Sequence, residues 1–178
     1  MSDTLTTMKR LRQSRQFDGS QMDPADLAEI LDVARWTGSS RNSQPWQLVV
    51  VDDREQLKRL ANVRELNIWM ENASCGIAIV MPEGSTVATN YDEGRMSERI
   101  MLAASELGYG SGTAWFSSPE EIAAAKTILQ VPEEASLRSM VVLGRVSDDP
   151  GARGGGSGGR KPLEEIVSYN TYGDTSRR

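Results

Sequence analysis

Four short segments of this 178-residue chain carry side chains suited to hold a small polar ligand. The first is Leu11-Arg12-Gln13-Ser14-Arg15-Gln16-Phe17. Guanidinium groups match phosphate oxygens bidentately, so paired arginines suit a phosphate clamp. A basic helix end in water has the same composition, because Lys and Arg favour a helix C-terminus. The second is Gly38-Ser39-Ser40-Arg41-Asn42-Ser43-Gln44-Pro45-Trp46, between an amphipathic helix and an apolar run. Its hydroxyls and amides supply donors and acceptors for the edge of a ring, and Trp46 adds an aromatic wall. An ordinary polar turn is the alternative, since Ser, Asn and Pro all favour turns. The third is Gly110-Ser111-Gly112-Thr113, where glycines let the backbone approach a planar ligand. These glycines follow a helix and make no dinucleotide fingerprint, and a glycine placed there also serves as a simple cap. The fourth, Arg160-Lys161-Pro162, sets cations before a short helix whose N-terminus can face an anion; a solvated tail is the alternative.

Absences narrow the chemistry. There is no histidine, which removes the Ser-His-Asp and Cys-His mechanisms. It also removes His-containing zinc sites, and one cysteine cannot build a thiolate site. An enzyme of this composition borrows its chemistry from a cofactor or uses carboxylates, Lys or a hard metal. Asp92, Glu93 and Glu98 fall on one helix, without a spacing that supports a metal site. Cys75 lies beside Ile77 and Ala78 and reads as a core residue; alone, it forms no intrachain disulfide. Lys and Arg number 20 against 25 Asp and Glu, a net charge of -5, so no general attraction to nucleic acid or an anionic membrane is expected. The cations cluster at Lys9, Arg10, Arg12 and Arg15 and at Arg160 and Lys161, which suits a small anion. A polar N-terminus and the lack of long apolar runs predict no signal peptide, no membrane span and a cytoplasmic location.

The elements that position these segments follow from periodicity. Residues 4–15 predict a first helix with Leu5, Met8 and Leu11 on one face. Asp23 and Pro24 start a second helix carrying Leu27, Ile30, Leu31 and Ala34. Trp46–Val51 reads as a strand, Asp53 starts a short helix, and Ile77–Met81 reads as a buried strand. Residues 81–90 read as a loop, and a long helix is expected from about Asp92 to Leu107, capped by Gly108. Tyr109–Trp115 reads as a Gly-spaced strand. Ser118, Pro119 and Glu121 form a capping-box start for a helix ending near Leu129. Leu137–Val146 is the last strand, 151–159 a Gly-rich linker, and 162–167 a short helix. The alternation predicts an α/β (α+β) fold with helices on both faces of a sheet. Four strands are few for this length, which suggests that a partner chain completes the sheet.

Read together and in order, these segments resemble the nitroreductase family. The pattern is an Arg-rich segment ending in Phe17, an amphipathic helix over 23–36, and the loop Ser40-Arg41-Asn42-Ser43-Gln44-Pro45-Trp46 running into a strand. Leu107-Gly108-Tyr109-Gly110 and Arg160-Lys161-Pro162-Leu163 complete it. The chain departs from the commonest pattern at Gly38, where the family often has Pro, and at Leu11-Arg12-Gln13, which leaves Arg10 and Arg12 as rivals for the leading phosphate ligand. The resemblance implies a single FMN-binding domain over 1–178, with residues 147–178 as an extended C-terminal arm. It implies a three-layer sandwich around a mixed sheet of about four strands, completed by the partner's C-terminal segment in a homodimer. Arg12, Gln13 and Arg15 are then expected on the FMN phosphate and ribityl chain, joined by Arg160 and Lys161. Ser39, Ser40, Asn42 and Gln44 are expected along the flavin, Asn67 at its ring edge, and Ser111 and Gly112 on its other side. No catalytic side chain is expected from the protein. The implied activity passes a hydride from NAD(P)H through FMN to a nitroaromatic or quinone. The alternatives are a specialised relative that dehalogenates, desaturates or fragments flavin, and a flavin-binding protein without turnover.

Overall fold

The computed structural model describes residues 3–84, 87–148 and 159–175. Four antiparallel-paired strands form one sheet: β1 (Gln47–Val51), β2 (Cys75–Met81), β3 (Gly110–Trp115) and β4 (Ser136–Gly144), in the order β1-β2-β4-β3. The parallel component of the expected mixed sheet is a single bridge between Gln13 and Ser111.

Alternation along the two central strands divides the molecule into two cores. Ile77 and Ile79 of β2 and Val141 and Leu143 of β4 face one way. They pack on Ile30 and Ala34 of α2 (Pro24–Arg35) and on Met96, Ile100 and Ala104 of α4 (Val87–Glu106). Ala78 and Val80, with Met140 and Val142, face the other way, onto Leu57 and Leu60 of α3 (Arg54–Ala61) and Ala125 and Leu129 of α5 (Pro119–Leu129). With helices on both faces, every residue of β2 is buried, as expected for a strand read as a continuous apolar run. The three-layer sandwich is therefore present.

The caps predicted from sequence are in place. Asp23 accepts from the N–H of Ala25, and Asp53 from that of Gln56. Ser118 and Glu121 form a reciprocal capping box. Gly108 adopts φ +82° after α4, a conformation that costs glycine little.

Three boundaries differ from the expectations. α1 (Asp3–Arg10) stops well short of residue 15. The backbone beyond it leaves the helix to pair with the sheet: Ser14 N–H donates to Ser111 O (2.7 Å), and Ser147 N–H to Gln16 O (3.2 Å). The apolar face of α1 is half open, with Leu5 and Met8 each about half exposed. α4 begins at Val87, so the last four residues of the expected loop over 81–90 belong to that helix. The short helix after Pro162 is a 3-10 turn, Leu163–Glu165. A run of 3-10 turns over Glu65–Asn72, unread in the sequence, bridges α3 and β2. The Gly-rich linker lies, except for Gly159, outside the described residues.

Candidate functional site

The Arg-rich segment runs beside β3. Gln13 forms the bridge to Ser111, and its Oε1 accepts from the N–H of Thr113 (3.3 Å). The carbonyl of Ser14 lies over Gly112 so closely that a Cβ there would sit 2.6 Å from it, with Trp69 at 3.0 Å on the other side. A side chain at 112 would have to displace backbone, so packing within the chain already demands the glycine. Arg15 is exposed, with its guanidinium 5.9 Å from the centroid of the Trp69 ring, within reach of a cation–π attraction. Trp69 in turn meets Phe17, with ring centroids 6.1 Å apart. Arg12 is turned back onto its own helix end, where Nη1 donates to Lys9 O (2.9 Å) and Leu11 O (2.7 Å). Gln13, Arg15, Ser111 and Gly112 thus form one cluster, with Arg12 at its margin.

The Ser39–Gln44 loop forms a second cluster. It contains a 3-10 turn, Ser40–Asn42, and three non-glycine residues in the left-handed region: Arg41 (φ 53°), Asn42 (φ 53°) and Gln44 (φ 44°). Such conformations are uncommon outside glycine and tend to collect at functional sites. The loop is tied internally by Ser39 Oγ accepting from Gln44 N–H (2.8 Å) and by Gln44 Nε2 donating to Asn42 Oδ1 (3.2 Å). Ser40, Asn42 and Gln44 remain exposed. Trp46 is half-buried and packs against the α2/α4 core.

The remaining expected residues fall elsewhere. Asn67 is buried, and its Nδ2 donates to the carbonyl of Trp115 (2.9 Å), which ties the 3-10 run to the end of β3. Arg160 and Lys161 are exposed, and no hydrogen bond or ion pair among the described residues links them to either cluster. The carboxylates of α4 serve the scaffold. Glu93 pairs with Arg138 and accepts from Ser139 Oγ (3.0 Å). Asp92 reaches Ser40 and Arg95. The described residues contain no group of His, Cys, Asp or Glu able to hold a metal. Cys75 is buried, and desolvation, aided by the charge of Asp52, pushes its thiol up to about 12, so it stays protonated and inert.

Sequence reasoning missed Trp69, Asp92 and Arg95 as parts of the two clusters. Trp69 carried no signal, because no sequence pattern brings residue 69 to residue 15. In the sequence Asp92 is only one of three carboxylates on a long helix; its place one helical turn before Met96 on the buried face is the signal that could have set it apart.

The donor set of the two clusters suits an anionic, polar ligand. Two buried hydroxyls, Thr37 Oγ1 and Ser111 Oγ, have no hydrogen-bond partner among the described residues. The first immediately precedes the strained loop, and the second belongs to the Gln13 cluster. Buried polar groups are rarely left unmet in folded proteins, and these two lie beside the two clusters. The surrounding groups are an exposed guanidinium, amides and hydroxyls.

Comparison with known proteins agrees. The sequence model of the Nitroreductase family matches residues 9–67, which contain both the Arg-rich segment and the strained loop. A protein of Archaeoglobus fulgidus, provisionally named an NADH dehydrogenase/NAD(P)H nitroreductase, is 31% identical over 84% of this chain and 88% of its own length. The fold is similar to that of an FMN-dependent nitroreductase from Clostridium difficile R20291, with a TM-score of 0.82, 23% identity, and 94% and 99% of the two chains covered. It is also similar to a BluB-like flavoprotein from Clostridium difficile 630, with a TM-score of 0.77, 17% identity, and 96% and 100% covered. With its motifs in order, its sandwich in place and a relative this similar over most of both lengths, the chain belongs to the nitroreductase family.

Proposed function

We propose that this chain is an FMN-dependent oxidoreductase that passes a hydride from NAD(P)H to a small oxidised acceptor such as a nitroaromatic or a quinone. The observation that carries the reading is the Ser39–Gln44 loop. It holds three non-glycine residues in left-handed conformations and keeps Asn42 and Gln44 exposed. Clustered left-handed residues of this kind tend to gather at ligand sites.

When bound, FMN supplies the hydride chemistry, which is consistent with a chain that lacks histidine. The protein binds and orients. Arg15 and Arg12 meet the phosphate, with Arg160 and Lys161 added from the C-terminal arm, and Gln13 meets the ribityl chain. Ser39, Ser40, Asn42 and Gln44 line one side of the ring, and Ser111 and Gly112 the other. Asn67 holds the end of β3 and acts on the ring edge only through that strand.

The working unit in this reading is a homodimer of single domains spanning 1–178, with 147–178 as the arm. Several surfaces of the single chain support it. The groove between α1, α2 and α4 has a volume of about 580 Å³ and is lined by Met8, Val33, Leu102 and Leu107. In the arm, Leu163 and Ile166 are largely exposed. The far edge of β1 pairs with no strand among the described residues.

The test is a visible spectrum of the purified protein, followed by anaerobic mixing with NADPH or NADH. The expected result is a yellow protein that releases FMN on denaturation and bleaches rapidly with one of the two nucleotides. A colourless protein that also fails to bind added FMN would overturn the reading.

A further inference from the structure

The strained loop is held from outside by two residues of α4. Left-handed conformations at Arg41, Asn42 and Gln44 persist only where the surroundings fix them. The bonds within the loop close it on itself: Asn42 N–H to Ser39 O and Ser43 N–H to Ser40 O (both 3.1 Å), and Gln44 N–H to Ser39 Oγ. They do not fix it against the rest of the molecule. That link is made by Asp92, whose Oδ2 accepts from the backbone N–H of Ser40 (3.4 Å) and whose Oδ1 faces Arg95 Nη1 (3.4 Å). The Asp92 side chain is only 6% exposed, so a charge held there depends on both partners, long as the contacts are. Arg95 also packs on the start of the loop. A Cβ on Gly38 would sit 2.6 Å from Arg95 Nη2. The same carboxylate therefore meets the N–H of Ser40 near the start of the loop and the cation lying against the glycine that opens it.

We propose that Asp92 and Arg95 are positioning residues that set the conformation of the Ser39–Gln44 loop, and through it the ring-edge contacts of the flavin. The flavin part rests on the function proposed above; the loop part does not. Neither residue is a catalytic residue. The carboxylate fixes where Ser40 starts, and the internal bonds carry that position to Asn42 and Gln44.

Arg41 is exposed and supplies a trypsin site inside the loop, so the ligand-free protein can be tested. In Asp92→Ala, cleavage after Arg41 should be about tenfold faster than in the wild type, a ratio that corresponds to ~1.4 kcal/mol of local opening. Circular dichroism melting serves as the control for the fold. Should Asp92→Ala fail to fold, Asp92→Asn and Arg95→Met remove only the charge pair and are expected to show the same change more weakly. In folded variants, FMN and lumiflavin, which lacks the ribityl phosphate, should both bind more weakly, and the absorbance maxima of bound FMN should move. Unchanged cleavage after Arg41 in all folded variants would overturn the proposal. A wild type that binds no flavin would instead remove the proposed function and leave the tryptic comparison standing.

Discussion

A phosphate is held by donors that can be aimed at it, and the two arginines of the N-terminal segment differ in that respect. Arg12 already donates to Lys9 O and Leu11 O, so meeting a phosphate would require it to give up bonds that finish α1. Arg15 holds its guanidinium over the Trp69 ring and stays exposed, so it can turn to a ligand without giving up hydrogen bonds of the helix. A charge-assisted hydrogen bond is worth roughly 1.5–3 kcal/mol, and exposure reduces that. Arg15→Ala should therefore weaken FMN by about three- to tenfold, and Arg12→Ala by less. Riboflavin lacks the phosphate and should lose little in either variant. Titration of flavin fluorescence with both ligands is the measurement, and equal losses for FMN and riboflavin would show that the arginine serves the fold. At this scale the sequence was informative about residue types and weak on partners. The Ser39–Gln44 loop stood out because amides and hydroxyls gather there, although an ordinary polar turn has the same composition. Asn67 had no such local signal and came only from the family resemblance; its amide ties β3 to the 3-10 run, a long-range contact with no local signature.

Local chemistry and tertiary pairing explain which elements could be read. The caps at Asp23, Asp53 and Ser118 act within three residues of themselves, so they were visible. The four strands were visible as apolar runs because both faces of the sheet are covered. Their order was not, since β2 lies between β1 and β4 through pairings far apart in sequence. The extent of α1 was overestimated for a similar reason: Leu11 continues the helical spacing, but pairing with β3 and with the chain just after β4 captures the backbone beyond it. The cap of α5 gives a pH test. The Glu121 carboxylate accepts from the N–H groups of Ser117 (2.6 Å) and Ser118 (3.3 Å) and faces Arg64. The Ser117 bond foremost, with help from Ser118 and Arg64, holds its pKa below the usual glutamate value. A depressed folded-state pKa stabilises the protein above the unfolded-state value, and that contribution is lost as pH falls through the folded-state value. The melting temperature of the wild type should thus exceed that of Glu121→Gln at pH 7, and the gap should close as the pH drops below about 4. A gap that is constant with pH would mean the carboxylate charge contributes nothing to the cap.

At the scale of the whole molecule, the C-terminal arm tests whether assembly and cofactor binding are one process. Beyond Ser147, several bonds of the arm's described residues run within it: Val167 N–H to Leu163 O, Tyr169 N–H to Asp174 O, and Gly173 N–H to Ser168 Oγ. Several of its apolar side chains stay in water among the described residues, with Leu163 71% and Ile166 62% exposed and Tyr172 fully so. Apolar surface left in water forgoes roughly 25 cal/mol for each Å² that could be buried, so an arm of this composition gains by lying on another surface. A second copy offers one of matching character, the groove of α1, α2 and α4, while the edge of β1 offers unpaired backbone. If the arm crosses to the partner, Arg160 and Lys161 travel with it and can reach the partner's phosphate site, which their separation from both clusters in the single chain otherwise leaves without explanation. Truncation after Pro150 should then weaken the dimer and FMN binding together. Because FMN would bind the assembled form preferentially, added FMN should restore part of the dimer by linkage, by about 2.7 kcal/mol at a hundredfold excess over Kd. Sedimentation of the truncated protein with and without FMN measures both effects. A truncated protein that stays dimeric and binds FMN at full strength would show the arm to be a solvated appendage, and Arg160 and Lys161 would have no place in the flavin site.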